Sequence, residues 1–236
     1  MATQSATGTR PAVPALMAFE QDTLTKVFFH AIDNRARPDA MRYKEAGVWK
    51  TISHAETELR VTRLAAALDS WGVKSGDRVA MLSENRPEWA ITDYAALGLG
   101  CVDVPVYPTL PSNQIAFILN DCKAKVILVS TAEQLAKIQE IRAQVPSLER
   151  IVSFEDPRGA PDVLRFEDVL EEGRKLIEAG TTESFRDRAM RVESDAVATL
   201  IYTSGTTGDP KGVMLTHGNL ASNLAAVSQH GVIEFQ

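Results

Sequence analysis

The segment DRVAMLSENRPEWAITDYAALGLGCVDVPVY, residues 77–107, decides the fold. Its first seven residues, 77–83, hold the uninterrupted apolar run 79–82 and read as a buried strand. After Glu84, the sixteen residues NRPEWAITDYAALGLG read as a helix with Pro87 in its first turn, where a missing N–H costs nothing. VDVPVY then reads as a second strand. Strand, helix and strand within about 30 residues is the signature of a parallel pair joined by a helical crossover.

The same alternation continues outward. SNQIAFILNDC is predicted as a helix, AKVILVS as a strand, TAEQLAKIQEIRAQV as a helix opened by the capping pair Thr131 and Gln134, and LERIVSF as a strand. Upstream, VWKTI leads into a helix over SHAETELRVTRLAAALDSWG, where Ser53 and Glu56 form a capping box. Val61, Leu64, Leu68 and Trp71 share one face there, and Gly72 ends the helix. Downstream come an acidic helix around FEDVLEEGRKLIEAG, a strand AVATLIYTSG, and an amphipathic helix THGNLASNLAAVSQH. The expected fold class is α/β, an open, mainly parallel sheet flanked by helices on both faces. Glu167, Asp168, Glu171 and Glu172 fit a solvated helix face better than a metal site.

Composition narrows the function. The chain has 236 residues, 31 acidic against 25 basic side chains and a net charge of −6. No basic run could neutralise a row of phosphates, so nucleic acid is not an expected partner. Cys101 and Cys122 sit in apolar contexts without a CxxC partner and read as core thiols. His30, His54, His217 and His230 lack metal-ligand spacing. No apolar run approaches the ~18 residues of a membrane span, and the start lacks a secretory core, so a cytoplasmic protein is expected, with peripheral membrane contact left open.

The chemistry is concentrated in YTSGTTGDPKGV, residues 202–213, placed after the carboxyl end of a predicted strand. Open α/β sheets bind ligands at that edge. Gly205, Gly208 and Gly212 allow close backbone approach, Thr203, Ser204, Thr206 and Thr207 supply hydroxyls, and Lys211 brings a full positive charge. That equipment suits nucleotide phosphates, with an ordinary surface turn as the alternative. A Walker A loop is excluded because Asp209 and Pro210 separate Gly208 from Lys211. A nucleophile elbow is excluded because Tyr202 stands where it needs glycine.

At these residues the chain resembles the adenylate-forming superfamily of acyl-CoA synthetases, luciferases and peptide-synthetase adenylation domains. GVKSGDRVAMLSENRPEW and ALGLGCVDVPVYPTLPSNQIAFILNDCKAKVILVS are similar to the family's amino-terminal blocks, and VPVYPTLPSNQIAFIL resembles the long-chain fatty acid CoA ligase version. The resemblance implies an AMP-forming acid–thiol ligase that activates a fatty acid with ATP and Mg²⁺ and transfers it to CoA. It implies that Thr203, Ser204, Gly205, Thr206, Thr207 and Gly208 cradle phosphates, that Lys211 offsets charge on pyrophosphate, and that Thr203 helps hold Mg²⁺. Tyr202 is expected to pack beneath the loop and His217 to begin the following helix.

The resemblance implies that family members are more than twice this length, and that their adenine-binding motif, magnesium-binding glutamate, ribose-binding aspartate and mobile-domain lysine follow the phosphate loop. The expectation is an amino-terminal portion that is inactive alone, ending in GVIEFQ as an interrupted element. Residues 1–24 are expected as a disordered leader, 25–193 as an α/β amino-terminal subdomain, and 194–236 as strand, phosphate loop and helix opening the remainder. An adenylating enzyme for aryl or short-chain acids, or a non-catalytic nucleotide-binding or interaction module, stands as the alternative. Oligomerisation is left open.

Overall fold

In a computed structural model the chain is described over residues 21–203 and 210–229. Residues 1–20 of the expected leader and the closing GVIEFQ lie outside the described residues; Thr23 caps the first helix, α1 (Leu24–Arg35), by accepting from the Lys26 amide. A hairpin follows, β1 (Met41–Glu45) and β2 (Val48–Ile52), closed by Ala46 and Gly47 at φ 47° and 83°. Two consecutive left-handed residues make a primed hairpin turn. The alternation reading of VWKTI missed its partner strand, because Ala-Gly is a weaker turn signal than Asn-Gly.

The predicted alternation then unfolds: α2 (His54–Ser70), β3 (Arg78–Leu82), α3 (Pro87–Gly98), β4 (Val102–Val106), α4 (Ser112–Asp121), β5 (Val126–Val129), α5 (Ala132–Ile141) and β6 (Arg150–Ser153). Ser53 and Thr131 cap α2 and α5 through the amides of Glu56 and Gln134, and Pro87 is the first residue of α3. The short β7 (Val163–Arg165) precedes α6 (Phe166–Glu178), and α7 (Phe185–Met190) leads to β8 (Val197–Thr203), β9 (Lys211–Thr216) and α8 (His217–Gln229). On α6, Glu167 pairs with Arg60, Glu171 with Arg174, and Glu172 accepts from the Trp71 indole at 3.0 Å.

Among the described residues seven strands form one sheet in the order β7-β6-β5-β3-β4-β8-β9. All pairs are parallel except β8 with β9. The expected mainly parallel sheet is observed. Successive strand residues point to opposite faces, and each face has its own core. Val79, Val126, Leu128 and Val152 pack with residues of α1, α2, α3, α6 and α7. Ala80, Leu82, Val104, Ile127 and Ile151 pack with residues of α4 and α5. Cys101 belongs to the first core and Cys122 to the second, both buried and free, as their apolar contexts predict.

This division of helices fixes a reversal of winding. The chain leaves β3 over the α3 face to reach β4, and leaves β4 over the α4 face to reach β5 on the other side of β3. The loops after β3 and β4 therefore diverge at the carboxyl edge, where such sheets open a ligand crevice.

The central sheet encloses a carboxyl group. Asp103 is 3% exposed; its Oδ2 accepts from the Thr199 hydroxyl at 3.5 Å, and its Oδ1 has no partner among the described residues. Burial holds its carboxyl well above the usual range, and the nearby Asp93 carboxyl, pushed up to about 7 by its own burial, adds to that. An unfolded aspartate titrates near pH ~4. Above that value the unfolded chain ionises while the folded chain keeps the proton, so these groups lower stability as pH rises towards about 7. Asp103→Asn is expected to raise the urea midpoint above wild type at about pH 7.5 and to converge with it at about pH 4; equal midpoints at the higher pH would refute the assignment.

A second position constrains packing. A Cβ at Gly173 of α6 would lie 1.8 Å from the Arg63 carbonyl oxygen of α2, so the two helices cross backbone to backbone. Helix propensity alone favours alanine by about 1 kcal/mol. Gly173→Ala is nevertheless expected to cost about 3 kcal/mol, because the crossing must open. A neutral or raised urea midpoint would contradict that close approach.

Candidate functional site

Strand β8 delivers Thr203 to the carboxyl edge, and β9 leaves from Lys211. The two are register partners across the antiparallel pair, and both are exposed. The hairpin stem thus sets a hydroxyl beside an ammonium at the mouth of the connecting loop. Among the described residues no hydrogen bond or ion pair consumes the Lys211 ammonium. Ser204, Gly205, Thr206, Thr207 and Gly208 lie outside the described residues. The sequence reading treated KGV as part of the loop; it is the start of a strand, since antiparallel pairing with Val213↔Ile201 and Gly212↔Tyr202 extends up to Lys211.

One residue below the mouth, Tyr202 is 7% exposed and its hydroxyl donates to Asp121 Oδ2 at 2.5 Å. Burial, and then the bond to Asp121, raise the phenol's pKa above its ordinary value, so it stays a donor. The fit to its partner Gly212 is tight: a Cβ there would meet Tyr202 Cζ at 3.1 Å and Oη at 3.3 Å, so the ring would have to give by a few tenths of an ångström.

Beside the stem a crevice of about 400 Å³ opens where β3, β4 and β8 end. Ser83, Glu84, Trp89, Tyr107, Pro108 and Ile201 line it. Glu84 is held below the usual carboxylate range by the Ser130 hydroxyl, with smaller help from Gln134 and Arg86. Arg86 in turn donates to the Ser130 carbonyl at 3.1 Å and to Glu88 at 2.8 Å, and lies over the Phe154 ring. The rim is therefore a pre-set polar lattice around an apolar floor. Sequence reading did not find it, because the crevice depends on which strands are neighbours, and periodicity does not report neighbours.

His217 is the first residue of α8, as expected. It lies at the far end of β9 from Lys211, about 20 Å away along a strand of this length. It is 0% exposed, neither ring nitrogen has a partner among the described residues, and burial drops its pKa to about 4. A neutral imidazole so placed is a packing group of the stem base. Among the described residues no group of three or more His, Cys, Asp or Glu side chains is arranged to hold a metal, and no helix is long and apolar enough to cross a membrane.

Comparison with known proteins agrees with this geometry. Residues 28–235 match the family model described as AMP-binding enzyme. The chain is 34% identical over 216 residues to the long-chain-fatty-acid–CoA ligase FadD15 of Mycobacterium tuberculosis, covering 89% of this chain and 34% of that protein. It is 29% identical over 214 residues to the long-chain-fatty-acid–CoA ligase ACSBG1 of Rattus norvegicus, covering 90% and 29%. The chain thus spans about a third of the length of these relatives. In structure it resembles the anthranilate CoA ligase AuaEII in complex with anthranoyl-AMP, with a TM-score of 0.73, 25% identity, and coverage of 87% of this chain and 37% of that one. A putative long-chain-fatty-acid CoA ligase from Rhodopseudomonas palustris gives a TM-score of 0.68 at 25% identity, covering 87% and 47%. With its sheet, its carboxyl-edge hairpin and a match over nearly its whole length, the chain belongs to the AMP-binding enzyme family, the adenylate-forming ligases.

Proposed function

We propose that this chain is the amino-terminal portion of an AMP-forming acyl-CoA synthetase acting on long-chain fatty acids. The observation that carries the reading is the pairing of Thr203 with Lys211 at the mouth of a hairpin on the carboxyl edge. The similarity to long-chain-fatty-acid–CoA ligases supports the substrate class.

In the proposed reaction a fatty acid carboxylate oxygen attacks the α-phosphorus of ATP. The bond from that phosphorus to the bridging oxygen breaks, and pyrophosphate leaves with the electron pair. The CoA thiolate then attacks the acyl carbon of the acyl-adenylate, and AMP departs. Both nucleophiles belong to substrates, so the protein's share is orientation and charge stabilisation. Lys211 would offset negative charge on the departing pyrophosphate, and the hydroxyls and amides of residues 203–208 would hold the β- and γ-phosphates. Mg²⁺, bound with ATP, would neutralise phosphate charge, and the exposed Thr203 hydroxyl at the stem mouth is a hard oxygen donor that fits it. The crevice floored by Ile201 and Pro108 lies where part of a substrate could rest while the phosphates are held.

A second reading, an adenylating enzyme for aryl acids, is favoured by the likeness to the anthranilate CoA ligase. Carboxylate-dependent ATP–pyrophosphate exchange separates the two in the protein carrying this chain within its complete reading frame. Palmitate is expected to support faster exchange than benzoate or acetate, and the reverse order would overturn the long-chain assignment. The 236-residue chain alone is expected to show no exchange.

Phosphate recognition is tested on the chain itself by calorimetric titration with Mg-ATP. Lys211→Ala is expected to lose one charge-assisted contact, about 1.5 to 3 kcal/mol or roughly tenfold or more in affinity, with its circular dichroism unchanged. Equal affinity in the variant would remove Lys211 from the site.

A further inference from the structure

The β8–β9 hairpin joins the central sheet along β4, with Tyr202 and Leu200 packed into the second core. The aligned register between β4 and β8 is the single pair Asp103↔Thr199, three residues below Tyr202 on β8. Nearer the mouth, a polar tie adds to this packing in fixing the stem's angle to the sheet. The Tyr202 hydroxyl, donating to Asp121 Oδ2 at 2.5 Å, supplies it.

Asp121 is itself on an anchored platform. It is the last residue of α4, and Arg78 at the start of β3 donates to the Cys122 carbonyl and, at 3.0 Å, to the Lys123 carbonyl immediately after it. Asn120 donates to the Gln144 carbonyl at 3.0 Å. The end of α4 is thereby fixed to the central sheet and to the turn after α5. On the other side the Tyr202 ring lies close against Gly212, its register partner, where an added Cβ would press on the ring at 3.1 Å. One aromatic ring thus touches both strands of the stem, on the residues adjoining Thr203 and Lys211.

We propose that Asp121 is a positioning residue for the nucleotide site: through Tyr202 and the glycine beneath it, it holds Thr203 and Lys211 in their paired arrangement. The catalytic significance rests on the phosphate-binding reading above, whereas the mechanical part does not. Among the described residues the carboxylate reaches the stem through the Tyr202 phenol.

The test follows amide hydrogen exchange residue by residue in the 236-residue chain, beside Mg-ATP titration. Tyr202→Phe and Asp121→Ala are each expected to speed exchange of the β8–β9 amides near Thr203 and Lys211 by about tenfold, leaving the amides of β3 and β5 unmoved. Asp121→Asn keeps an oxygen acceptor for the phenol, and exchange should return to within about threefold of wild type. The double variant Tyr202→Phe with Asp121→Ala should exchange no faster than either single one, since both remove the same bond. Gly212→Ala reaches the same state by pushing the ring aside, with no change to the bonding partners. Affinity for Mg-ATP should fall in the order set by exchange. Unchanged hairpin exchange, or a uniform rise across all strands, would overturn the proposal. So would failure of Asp121→Asn to rescue, or affinity that falls without a local change in exchange. If wild type shows no affinity while the exchange pattern holds, the phosphate-binding reading falls and the mechanical tie stands.

Discussion

The carboxyl edge owes its shape to a reversal of winding at β3. Because parallel strands need right-handed crossovers, moving from β3 to β4 lays α3 on one face, and moving back across β3 to β5 lays α4 on the other. The loops after β3 and β4 are pulled apart by helices on opposite faces, and the crevice floored by Pro108 and Ile201 is the gap they leave. Further parallel strands extend the sheet on both sides, β6 and β7 beyond β5 and β8 beyond β4. The hairpin stem that carries Thr203 and Lys211 consequently stands beside the crevice.

Burial of both faces is what makes the central strands rigid, and it also sets the cost of every polar group among them. Asp103 is held with little to compensate its lost hydration, and His217 is enclosed with both nitrogens unpartnered among the described residues. Their effects on stability run in opposite directions with pH. The aspartate, its carboxyl held well above the usual range, becomes a liability as pH rises above ~4, whereas the histidine, titrating at about 4 when folded against an ordinary value of ~6.5, is a liability as pH falls through that interval. Both sit by the hairpin's attachment to the sheet, Asp103 facing Thr199 and His217 donating its amide to the Ala196 carbonyl at 3.0 Å.

How far the sequence carries follows from what is local. Ser53, Thr131 and Pro87 mark helix starts by chemistry confined to one turn, and the apolar runs of β3 and β5 announce strands buried on both faces, so the alternation and its parallel sheet are legible. The hydroxyl-rich loop is legible for the same reason, as a dozen adjacent residues. The strand character of residues 211–216 was not, because Lys-Gly-Val-Met-Leu-Thr becomes a strand by pairing with β8, and a glycine near its start argues against one. Asp121 and Gly173 were invisible for a different reason. Each matters through a residue 81 or 110 positions away, Tyr202 in one case and Arg63 in the other, and a single sequence carries no record of such neighbours.

The two cysteines fall on opposite sides of the sheet, Cys101 beneath the layer containing α2 and α3 and Cys122 beneath the layer containing α4 and α5. Burial raises their thiols to about 12 and about 11, so in the folded chain neither presents a thiolate to an alkylating reagent. Each thiol therefore becomes reactive only when its own helical layer lifts. The native chain carries two chemical clocks, one for each face, and the ratio of their labelling rates distinguishes the peeling of one layer from the unfolding of the whole.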